Sequence, residues 1–354
     1  MKVLFITNAI VHYREPLYRE LGLRMDLSIA HHGKPVECDT YRQIPLKTTH
    51  YGPVERFVFQ EPVDLNDFDV VVIWQHVMLW NLYKSLYLSP RKKYKIVVFG
   101  IGVSASYDKH FDRDWKMGYL MRKIVQKADA SIFYDQYPAI KYASYGINPN
   151  KLFVVNNTVV AGNGKCASRR ERSYFLFVGT LYRQKGLGML IEAYERLCLQ
   201  GVDLPLLKLV GDGPDFQELK ELITAKGLSA YIQLLGSITQ PDKLADLFSS
   251  AIACVSPLQA GLTVQNAFAF GVPFITKTYP ISGGEFTSII EDVTGFYFDG
   301  TSDDLAKTLN RVLQHPNLDE IYQNCFEWYN RFRSPKIWVN TFERAVSFAY
   351  NQAH

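Results

Sequence analysis

The sequence predicts an α/β protein made of two doubly wound, parallel-sheet domains. Three observations support this prediction: short runs rich in Val, Ile and Phe recur along the chain, helical patterns separate them, and this rhythm stops once, at residues 161–172. Runs that are apolar throughout are typical of parallel strands buried on both faces of a sheet. The 354 residues, of which 47% are hydrophobic, suit two folded domains and exclude a disordered chain.

The first half of the chain, residues 1–160, is predicted to form one domain. Its apolar runs lie at residues 2–7, 69–74, 94–99, 130–134 and 152–155. A helical pattern at 115–127 separates two of them, which gives the strand–helix–strand order of a doubly wound sheet. We interpret the apolar start of the chain as the first buried strand rather than a signal peptide, because it has one basic residue and no small-residue cleavage site.

The second domain is predicted to span residues 173–330, after a polar, glycine-containing linker at 161–172. Its apolar runs lie at 174–178, 206–210, 232–235, 252–255, 273–276 and 295–298. The helix after the first run has apolar residues at the spacing of one buried face, namely Leu187, Leu190, Ile191, Tyr194, Leu197 and Cys198. Two further helices are separated at Ser334-Pro335, and the last one, within 335–354, is predicted to pack on the first domain.

Composition excludes several classes of function. Five scattered cysteines without a CxxC pair indicate neither a zinc site nor a disulfide framework. The net charge of +4 is too small to predict nucleic-acid binding. No apolar run has the roughly 20 residues of a membrane-spanning helix, so we expect a cytoplasmic protein. Two DxD tripeptides, at 67–69 and 112–114, match a pattern that can hold Mg²⁺, but the first leads into a strand and the second resembles a helix N-cap. We expect neither a metal nor a cofactor.

One loop after a predicted strand carries two cations. Arg183 and Lys185 follow the run at 174–178 and precede a helix. Side-chain charge, backbone N–H groups and the helix dipole together suit a diphosphate at such a position. The alternative is that both are ordinary solvated residues beside a helix.

Two later loops could add backbone donors. Gly211 and Gly213 follow the run at 206–210 and allow close backbone approach to a ligand, or form only a tight turn. The N–H groups of residues 261–263 precede a short predicted helix and could bind phosphate oxygens without any side chain. Ligands bind parallel sheets outside the carboxyl ends of the strands, where all of these loops are expected.

In this order and at these spacings, the three segments resemble the nucleotide-binding half of glycosyltransferase family 4, whose GT-B fold has two Rossmann-like domains facing a central cleft. The resemblance extends over residues 174–313 and rests on Phe177-Val-Gly-Thr-Leu, Lys185-Gly-Leu, Val210-Gly-Asp-Gly-Pro and Ala267-Phe-Ala-Phe-Gly-Val-Pro. The first half is more divergent, although His12-Tyr13-Arg14-Glu15-Pro16 is similar to the HYR-x-P start of transferases that build bacterial surface polysaccharides.

The resemblance implies a retaining transferase that moves a sugar from a nucleotide-sugar, expected to be a UDP-sugar, to a hydroxyl of a glycan or lipid-linked acceptor. Lys185 matches the family lysine that contacts the donor diphosphate. Thr180 replaces a family arginine, and Arg183 in the same loop can supply the missing charge.

Two family glutamates around the donor fall on Leu258 or Gln259 and on Asn266, so both carboxylates are absent. Glu285 takes a comparable place after the next strand, unless it is simply the acidic first residue of a helix. The catalytic prediction is thus Arg183, Lys185 and Glu285, and the donor-binding prediction is Gly179, Thr180, Gly211, Gly213, Ile238, Gln259, Gly261, Leu262, Thr263 and Asn266. On the acceptor side we expect His12, Tyr13, Arg14 and Gly102; a family histidine falls on Ile101, which leaves His12, His76 and His110 as unassigned candidates.

Two other functions stay open. The departures at Thr180, Leu258 and Asn266 suit a catalytically silent protein that binds a nucleotide or a glycan, and an epimerase or phosphorylase of the same fold is the second alternative. Basic clusters at 91–93, 122–127 and 169–170 would suit contact with an anionic membrane on its cytoplasmic face, or are merely solvated surface.

Overall fold

A computed structural model of the chain describes residues 1–51, 54–88, 92–104, 111–112, 118–161 and 164–352. The chain divides into two compact units. The first comprises Met1–Ser104, Asp112–Val160 and the segment from Pro335 onwards, and the second consists mainly of Ala161–Ser334. The chain therefore leaves the first unit after residue 160 and returns to it at residue 335.

The first unit is built on a mixed sheet that is almost entirely parallel. Within the described residues its eight strands are β1 (Lys2–Ile6), β2 (Asp26–His31), β3 (Arg42–Tyr51), β4 (Val54–Phe59), β5 (Val70–Trp74), β6 (Lys95–Gly100), β7 (Ala130–Phe133) and β8 (Leu152–Val154). Their order is β4-β3-β2-β1-β5-β6-β7-β8, and the β3–β4 pair is antiparallel. The central strands β1, β5 and β6 are buried almost throughout, as their apolar sequences predict.

Three strands of this sheet were not predicted. Strand β2, with the sequence DLSIAH, buries a serine and a histidine among its apolar residues and so lacks a continuous apolar run. Strands β3 and β4, RQIPLKTTHY and VERFVF, form a hairpin at the sheet edge in which polar and apolar residues partly alternate. An antiparallel edge hairpin with one exposed face follows this alternating pattern rather than that of a buried parallel strand.

Helices cover both faces of the first sheet: α1 (Glu15–Gly22), α2 (Trp80–Leu88), α3 (Gly118–Lys127), α4 (Gln136–Ser144) and the C-terminal helix Pro335–Tyr350. Val3 and Phe5 of β1 belong to a core cluster with α1 and the C-terminal helix, whereas Leu4 and Ile6 belong to a cluster with α2 and α3. Phe342 of the C-terminal helix packs against Phe5, with 5.8 Å between ring centres. The last helix is thus part of the core of the first unit.

The second unit has a parallel sheet flanked by helices. Within the described residues its six strands are β9 (Tyr174–Val178), β10 (Leu206–Val210), β11 (Ile232–Gly236), β12 (Ala251–Val255), β13 (Phe274–Lys277) and β14 (Gly295–Phe298), in the order β11-β10-β9-β12-β13-β14. The helices are α5 (Leu187–Leu199), α6 (Phe216–Ala225), α7 (Pro241–Ser249), α8 (Thr263–Ala269), α9 (Ser302–Leu313) and α10 (Leu318–Trp328). All six strands coincide within two residues with the predicted apolar runs.

The segment at 161–172 was predicted to be a solvated linker, but its last residue is buried. Arg172 is buried, and its guanidinium donates to the carbonyl oxygens of Ala251 (2.8 Å) and Phe270 (2.9 Å) and lies 4.1 Å from the ring centre of Tyr322. Gly164 lies so close to the Ala269 carbonyl that a Cβ would come within 2.2 Å of the oxygen. These contacts fix the segment to the second unit, which its polar composition alone did not indicate.

The predicted break near the end of the chain is present. Helix α10 continues into a π-helical turn, Tyr329–Arg333, and the C-terminal helix begins at Pro335. None of the helices in the described residues combines the length and the apolarity that a membrane crossing requires.

Candidate functional site

Two of the loops predicted to bind the donor lie at the point in the second sheet where the order of the strands reverses. Strand β9 lies between β10 and β12, so the chain winds first to one side of β9 and later to the other. In open α/β sheets ligands bind at such a switch point, outside the carboxyl ends of the strands. The loops after β9 and β12, residues 179–186 and 256–262, flank this point.

Hydrogen bonds join these two loops. The N–H of Leu258 donates to the Lys185 carbonyl (3.3 Å), and the hydroxyl of Tyr182 donates to Oε1 of Gln259 (2.6 Å). Lys185 and Gln259, both predicted donor-site residues, are therefore held at the same edge of the sheet. Tyr182 was not predicted, because its role depends on a partner distant in sequence.

Lys185 is a half-buried cation at this edge. Its Nζ lies 5.4 Å from the ring centre of Tyr182 and 3.7 Å from the position that a Cβ on Gly179 would occupy. Burial lowers its pKa from the usual 10.5 to about 8, an effect that the nearby Cys254 thiol opposes. Among the described residues Lys185 takes part in none of the ion pairs. A partly desolvated cation without a carboxylate partner is suited to bind an anion from outside the protein.

The backbone around Lys185 forms one tight turn. Arg183–Lys185 is a 3₁₀ turn, Gly186 adopts the left-handed conformation with φ 73°, and α5 begins at Leu187. A Cβ on Gly186 would also lie 2.5 Å from Cγ of Leu258, so both the turn and the neighbouring loop require glycine here. Arg183 is exposed in the same turn.

Gly211 and Gly213 have a packing role that the sequence left open. The loops after β9 and β10 run backbone against backbone, with the N–H of Gly179 donating to the Val210 carbonyl (3.0 Å). A Cβ on Gly211 would lie 1.8 Å from the carbonyl oxygen of Gly179, and one on Gly213 would lie 2.3 Å from that of Leu181. The two glycines thus support the loop that carries Lys185; direct contact with a ligand stays a prediction.

The loop after β12, which is hydrogen-bonded to the turn that carries Lys185, presents backbone donors. The N–H groups of Gly261, Leu262 and Thr263 have no hydrogen-bond partner among the described residues. The hydroxyl of Thr263 donates to the carbonyl of Val178, at the end of β9, over 3.3 Å. This bond ties the start of α8 to the strand that leads to Lys185, so the donors and the cation belong to one structural neighbourhood.

Glu285 is held by its own loop after β13. It is buried, begins a 3₁₀ turn (Glu285–Ser288), and its Oε2 accepts from the N–H of Gly283 (3.0 Å) and the hydroxyl of Ser282 (3.2 Å). These bonds match the structural alternative of an acidic residue that stabilises the start of a helical turn. A role toward a donor sugar stays a prediction.

Three other predicted donor residues differ in their surroundings. Thr180 is exposed directly after Gly179, and Asn266 is half-buried in α8. Ile238 follows β11, which is two strands away from β9. A residue that was not predicted, Gln265, is fully buried in α8, and its Oε1 has no partner among the described residues. The sequence could have indicated Gln265, because its polar amide side chain stands among apolar residues.

The residues predicted to lie on the acceptor side are all in the first unit, but the structure does not bring them together at one site. His12 is exposed and lines a cavity of about 850 Å³, whose other lining residues are Ile10, Glu15, Arg19, Val36, Glu37, Cys38 and Asp39. Arg14 is buried instead, donates to Oδ1 of Asn157 (3.3 Å) and lies 4.6 Å from the Tyr134 ring centre. Gly102 lines a different cavity of about 240 Å³. Tyr13 is half-buried beside His12, with 5.5 Å between ring centres.

The histidine candidates are now distinguishable. His76 stacks on Trp74 with 4.9 Å between ring centres, and its Nδ1 accepts from the N–H of Met78 (3.3 Å). Burial lowers the pKa of His76, which favours the neutral ring with its proton on Nε2. His110 lies outside the described residues.

One aspartate of each DxD tripeptide has a structural partner. Asp69 accepts from the Lys2 N–H (2.7 Å), and Asp112 pairs with Lys141 (2.5 Å), whereas Asp114 lies outside the described residues. In the described part of the chain no three His, Cys, Asp or Glu side chains are grouped so that they could hold a metal ion.

Comparison with known protein families gives a match within the second unit. Residues 164–325 match the family described as "Glycosyl transferases group 1", a range that includes every loop around Lys185. The chain is also 26% identical, over 181 residues, to the alpha-monoglucosyldiacylglycerol synthase of Acholeplasma laidlawii. That match covers 49% of this chain and 44% of the synthase, so the chain spans less than half the length of this relative.

Solved structures extend the comparison to both units. A glycosyltransferase from Rickettsia africae superposes with a TM-score of 0.73 at 14% identity, covering 99% of each chain. The Anabaena protein HepE, in complex with UDP, superposes with a TM-score of 0.70 at 15% identity, covering 98% of this chain and 100% of HepE. The chain has the GT-B fold. The prediction of two Rossmann-like domains is thereby confirmed, and at these identities the likeness concerns the fold alone.

Proposed function

We propose that this GT-B protein is a retaining glycosyltransferase that moves a sugar from a UDP-sugar to a hydroxyl of a glycan or lipid-linked saccharide. The observation that carries the proposal is Lys185, a half-buried cation without an ion-pair partner among the described residues, next to the backbone donors of residues 261–263. The group 1 glycosyl transferase match over 164–325 supports it, because that range contains the whole neighbourhood.

The chemistry follows from the leaving group. Breaking a bond between sugar and phosphate builds negative charge on the departing diphosphate, and preorganised cations and N–H donors stabilise that charge. Lys185 and the amides of residues 261–263 act on the diphosphate, and exposed Arg183 moves toward it when the donor binds. UDP as the nucleotide is supported by HepE, whose structures contain UDP and UDP-glucose.

Retention fits the side chains around the switch point. The positions where family 4 has glutamates hold Leu258 or Gln259 and Asn266 in this chain. With no carboxylate at these positions to act as a nucleophile, the acceptor attacks from the face that the diphosphate leaves, and the departing phosphate accepts its proton. Glu285, fixed by Ser282 and Gly283, accepts hydrogen bonds from donor hydroxyls.

The acceptor binds in the first unit, in the 850 Å³ cavity beside His12. Glu15, Glu37 and Asp39 line this cavity, and carboxylate oxygens accept hydrogen bonds from sugar hydroxyls. A lipid-linked acceptor is supported by the name of one relative, the alpha-monoglucosyldiacylglycerol synthase of Acholeplasma laidlawii. The transferase then works in surface polysaccharide synthesis, at the cytoplasmic face of a membrane, without a metal or other cofactor.

The test is turnover of a panel of UDP- and GDP-sugars, measured as nucleotide release with and without lipid-linked acceptors. Lys185→Ala should lower kcat by about 10²- to 10³-fold, the usual effect of removing one group that stabilises a developing anion. The matched control is Lys220→Ala, which removes an exposed charge from α6 and should leave turnover unchanged. The anomeric configuration of the product, read by NMR, tests retention.

Other outcomes point to other functions. Tight nucleotide binding without turnover of any donor would favour the catalytically silent protein, which the residues at Thr180, Leu258 and Asn266 also suit. Turnover that requires inorganic phosphate would indicate a phosphorylase. Conversion of the donor sugar without any acceptor would indicate an epimerase.

A further inference from the structure

Helices α3 and α4 present large exposed side chains on the first unit. Tyr119 is 69% exposed, Ile140 is 60% exposed, and Tyr137 and Tyr145 are both 42% exposed. Most large apolar residues of this protein are buried. Several exposed ones on two neighbouring helices therefore form an apolar surface patch of the kind that marks an interaction site. Tyrosine combines an apolar ring with a polar hydroxyl, which suits the boundary between water and lipid.

Basic side chains lie among these tyrosines. The guanidinium of Arg122 lies 4.7 Å from the ring centre of Tyr145, and Nζ of Lys123 lies 5.5 Å from that of Tyr119. Lys127 is exposed at the end of the same helix. Met121, Ile124 and Val125 occupy the opposite, buried side of α3, so the basic side is the one that faces solvent.

Within the described residues, no acidic side chain neutralises the basic side of helix α3. Helix α3 has no acidic residue, and in the described residues Arg122, Lys123 and Lys127 form no ion pair. Three acids close to these helices in sequence, among those that the structure describes, have other partners: Asp112 pairs with Lys141 (2.5 Å), Asp129 accepts from the Ile96 N–H (2.7 Å), and Asp135 accepts from the Tyr137 N–H (2.9 Å).

The two helices also enclose a small cavity of about 240 Å³. Its lining includes Tyr119 and Arg122 from α3, Lys141 and Tyr142 from α4, and Tyr145 just after it. Asp112 also lines this cavity and pairs with Lys141, so Arg122 is the cation of the lining without an ion-pair partner among the described residues. Such a cation with three aromatic side chains around one cavity suits an anionic headgroup whose glycerol and first methylenes lie beside it.

We propose that this α3–α4 surface docks on a bilayer that contains anionic phospholipid, with one headgroup phosphate beside Arg122. The inference rests on the proposed function in one respect: a lipid-linked acceptor places the enzyme at a membrane surface. Charge complementarity identifies the occupant. Arg122, Lys123 and Lys127, which have no ion-pair partner in the part of the chain that the structure describes, attract anionic headgroups, while the exposed Tyr119 and Ile140 enter the interfacial layer.

The test is sedimentation of the full chain with phosphatidylcholine vesicles, with and without phosphatidylglycerol. Binding should require phosphatidylglycerol and weaken with salt. Each basic residue at an anionic surface contributes about fivefold to partitioning, so the variant R122Q/K123Q/K127Q should bind roughly 100-fold more weakly. Tyr119→Ser keeps these charges and should reduce the binding that persists at high salt.

The control variant K220Q/K243Q/K307Q removes three charges from exposed helical positions of the second unit and should bind vesicles like the unaltered protein. Equal binding to neutral vesicles, unchanged binding of R122Q/K123Q/K127Q, or an equal loss in the control would each overturn the proposal. Vesicle binding is measured without donor or acceptor, and donor turnover is measured with a soluble acceptor. Either proposal can therefore fail while the other stands.

Discussion

Replacing Lys185 by Met separates the cost of its buried charge from the benefit of that charge for binding. A pKa lowered from 10.5 to about 8 means that folding disfavours the charged form, and at about 1.36 kcal/mol per pH unit this amounts to roughly 3 kcal/mol at pH 7. Because the side chain is partly exposed, solvent reduces the figure to about 1–2 kcal/mol. Lys185→Met should therefore raise the free energy of unfolding of the ligand-free protein by that amount, measured in urea at pH 7.

The gain should disappear as the pH rises. Between pH 8 and 10.5 the unfolded chain holds the Lys185 proton and the folded chain does not, so the stability of the unaltered protein increases across this window. Above 10.5 the lysine is neutral in both states, and the difference caused by its charge is gone. Urea titrations at several pH values across the window follow this convergence.

The response to nucleotide should change in the opposite direction. UDP at about 100 times its dissociation constant stabilises the unaltered protein by about 2.7 kcal/mol. Loss of a charged hydrogen-bond donor weakens binding by about 10- to 100-fold, which lowers the stabilisation at the same UDP concentration to about 0.4–1.4 kcal/mol. Lys220→Met, at an exposed position of α6, should change neither quantity. A Lys185→Met protein that is less stable without ligand, or equally stabilised by UDP, would refute the assignment.

Three further predictions concern the site and its supports. UDP affinity should change little between about pH 7 and 8, where the terminal phosphate is already ionised, and should fall by up to tenfold per pH unit above 8 as free Lys185 loses its proton. The fall should level off once the pH exceeds the higher pKa that Lys185 has in the complex. Calorimetry on Lys185→Arg, which stays charged, should show no such fall. Gly211→Ala should destabilise the protein by about 1–3 kcal/mol or more, because its Cβ would lie 1.8 Å from the Gly179 carbonyl oxygen, whereas Gly188→Ala, with open space around it, should be neutral or stabilising in urea titrations. Phe342→Ala should cost about 3–5 kcal/mol and leave UDP binding intact, since Phe342 is fully buried in the first unit; Tyr350→Ala, at an exposed end of the same helix, is the control, and a small effect of Phe342→Ala would contradict the packing.

The sequence predicted those strands that can be recognised from their own residues, because they are continuous apolar runs. Strand β12 is buried throughout and β9 in all but its last residue, so their apolar runs identify them without knowledge of their neighbours. The β3–β4 hairpin was missed, because its strands lie at an edge and are only half apolar.

The candidate site was predictable as a set of loops but not as an electrostatic environment. The lowered pKa of Lys185 comes from burial of its side chain beside Tyr182. The Cys254 thiol, which opposes this lowering, comes close to Lys185 only when β12 pairs with β9. The burial of Arg14 likewise depends on Asn157 and Tyr134, which lie far away in sequence. Tertiary contacts of this kind leave no local pattern.

Two desolvated cations of the second unit show how a candidate binding residue can be distinguished from a structural one. Burial lowers the pKa of Arg172 as it does that of Lys185. Arg172, however, donates to the carbonyl oxygens of Ala167, Ala251 and Phe270, so its desolvation is offset within the protein.

Lys185 has no such compensation. In the described residues its ammonium group has neither a carboxylate nor a carbonyl partner, and the amides of residues 261–263, in the loop that is hydrogen-bonded to the Lys185 turn, are also without acceptors. Folding alone gives no reason to keep a lysine there, since Met would fill the space without the desolvation cost. An anion that accepts from both the ammonium group and the amides would supply that reason, and a nucleotide diphosphate has the charge and the oxygens to do so.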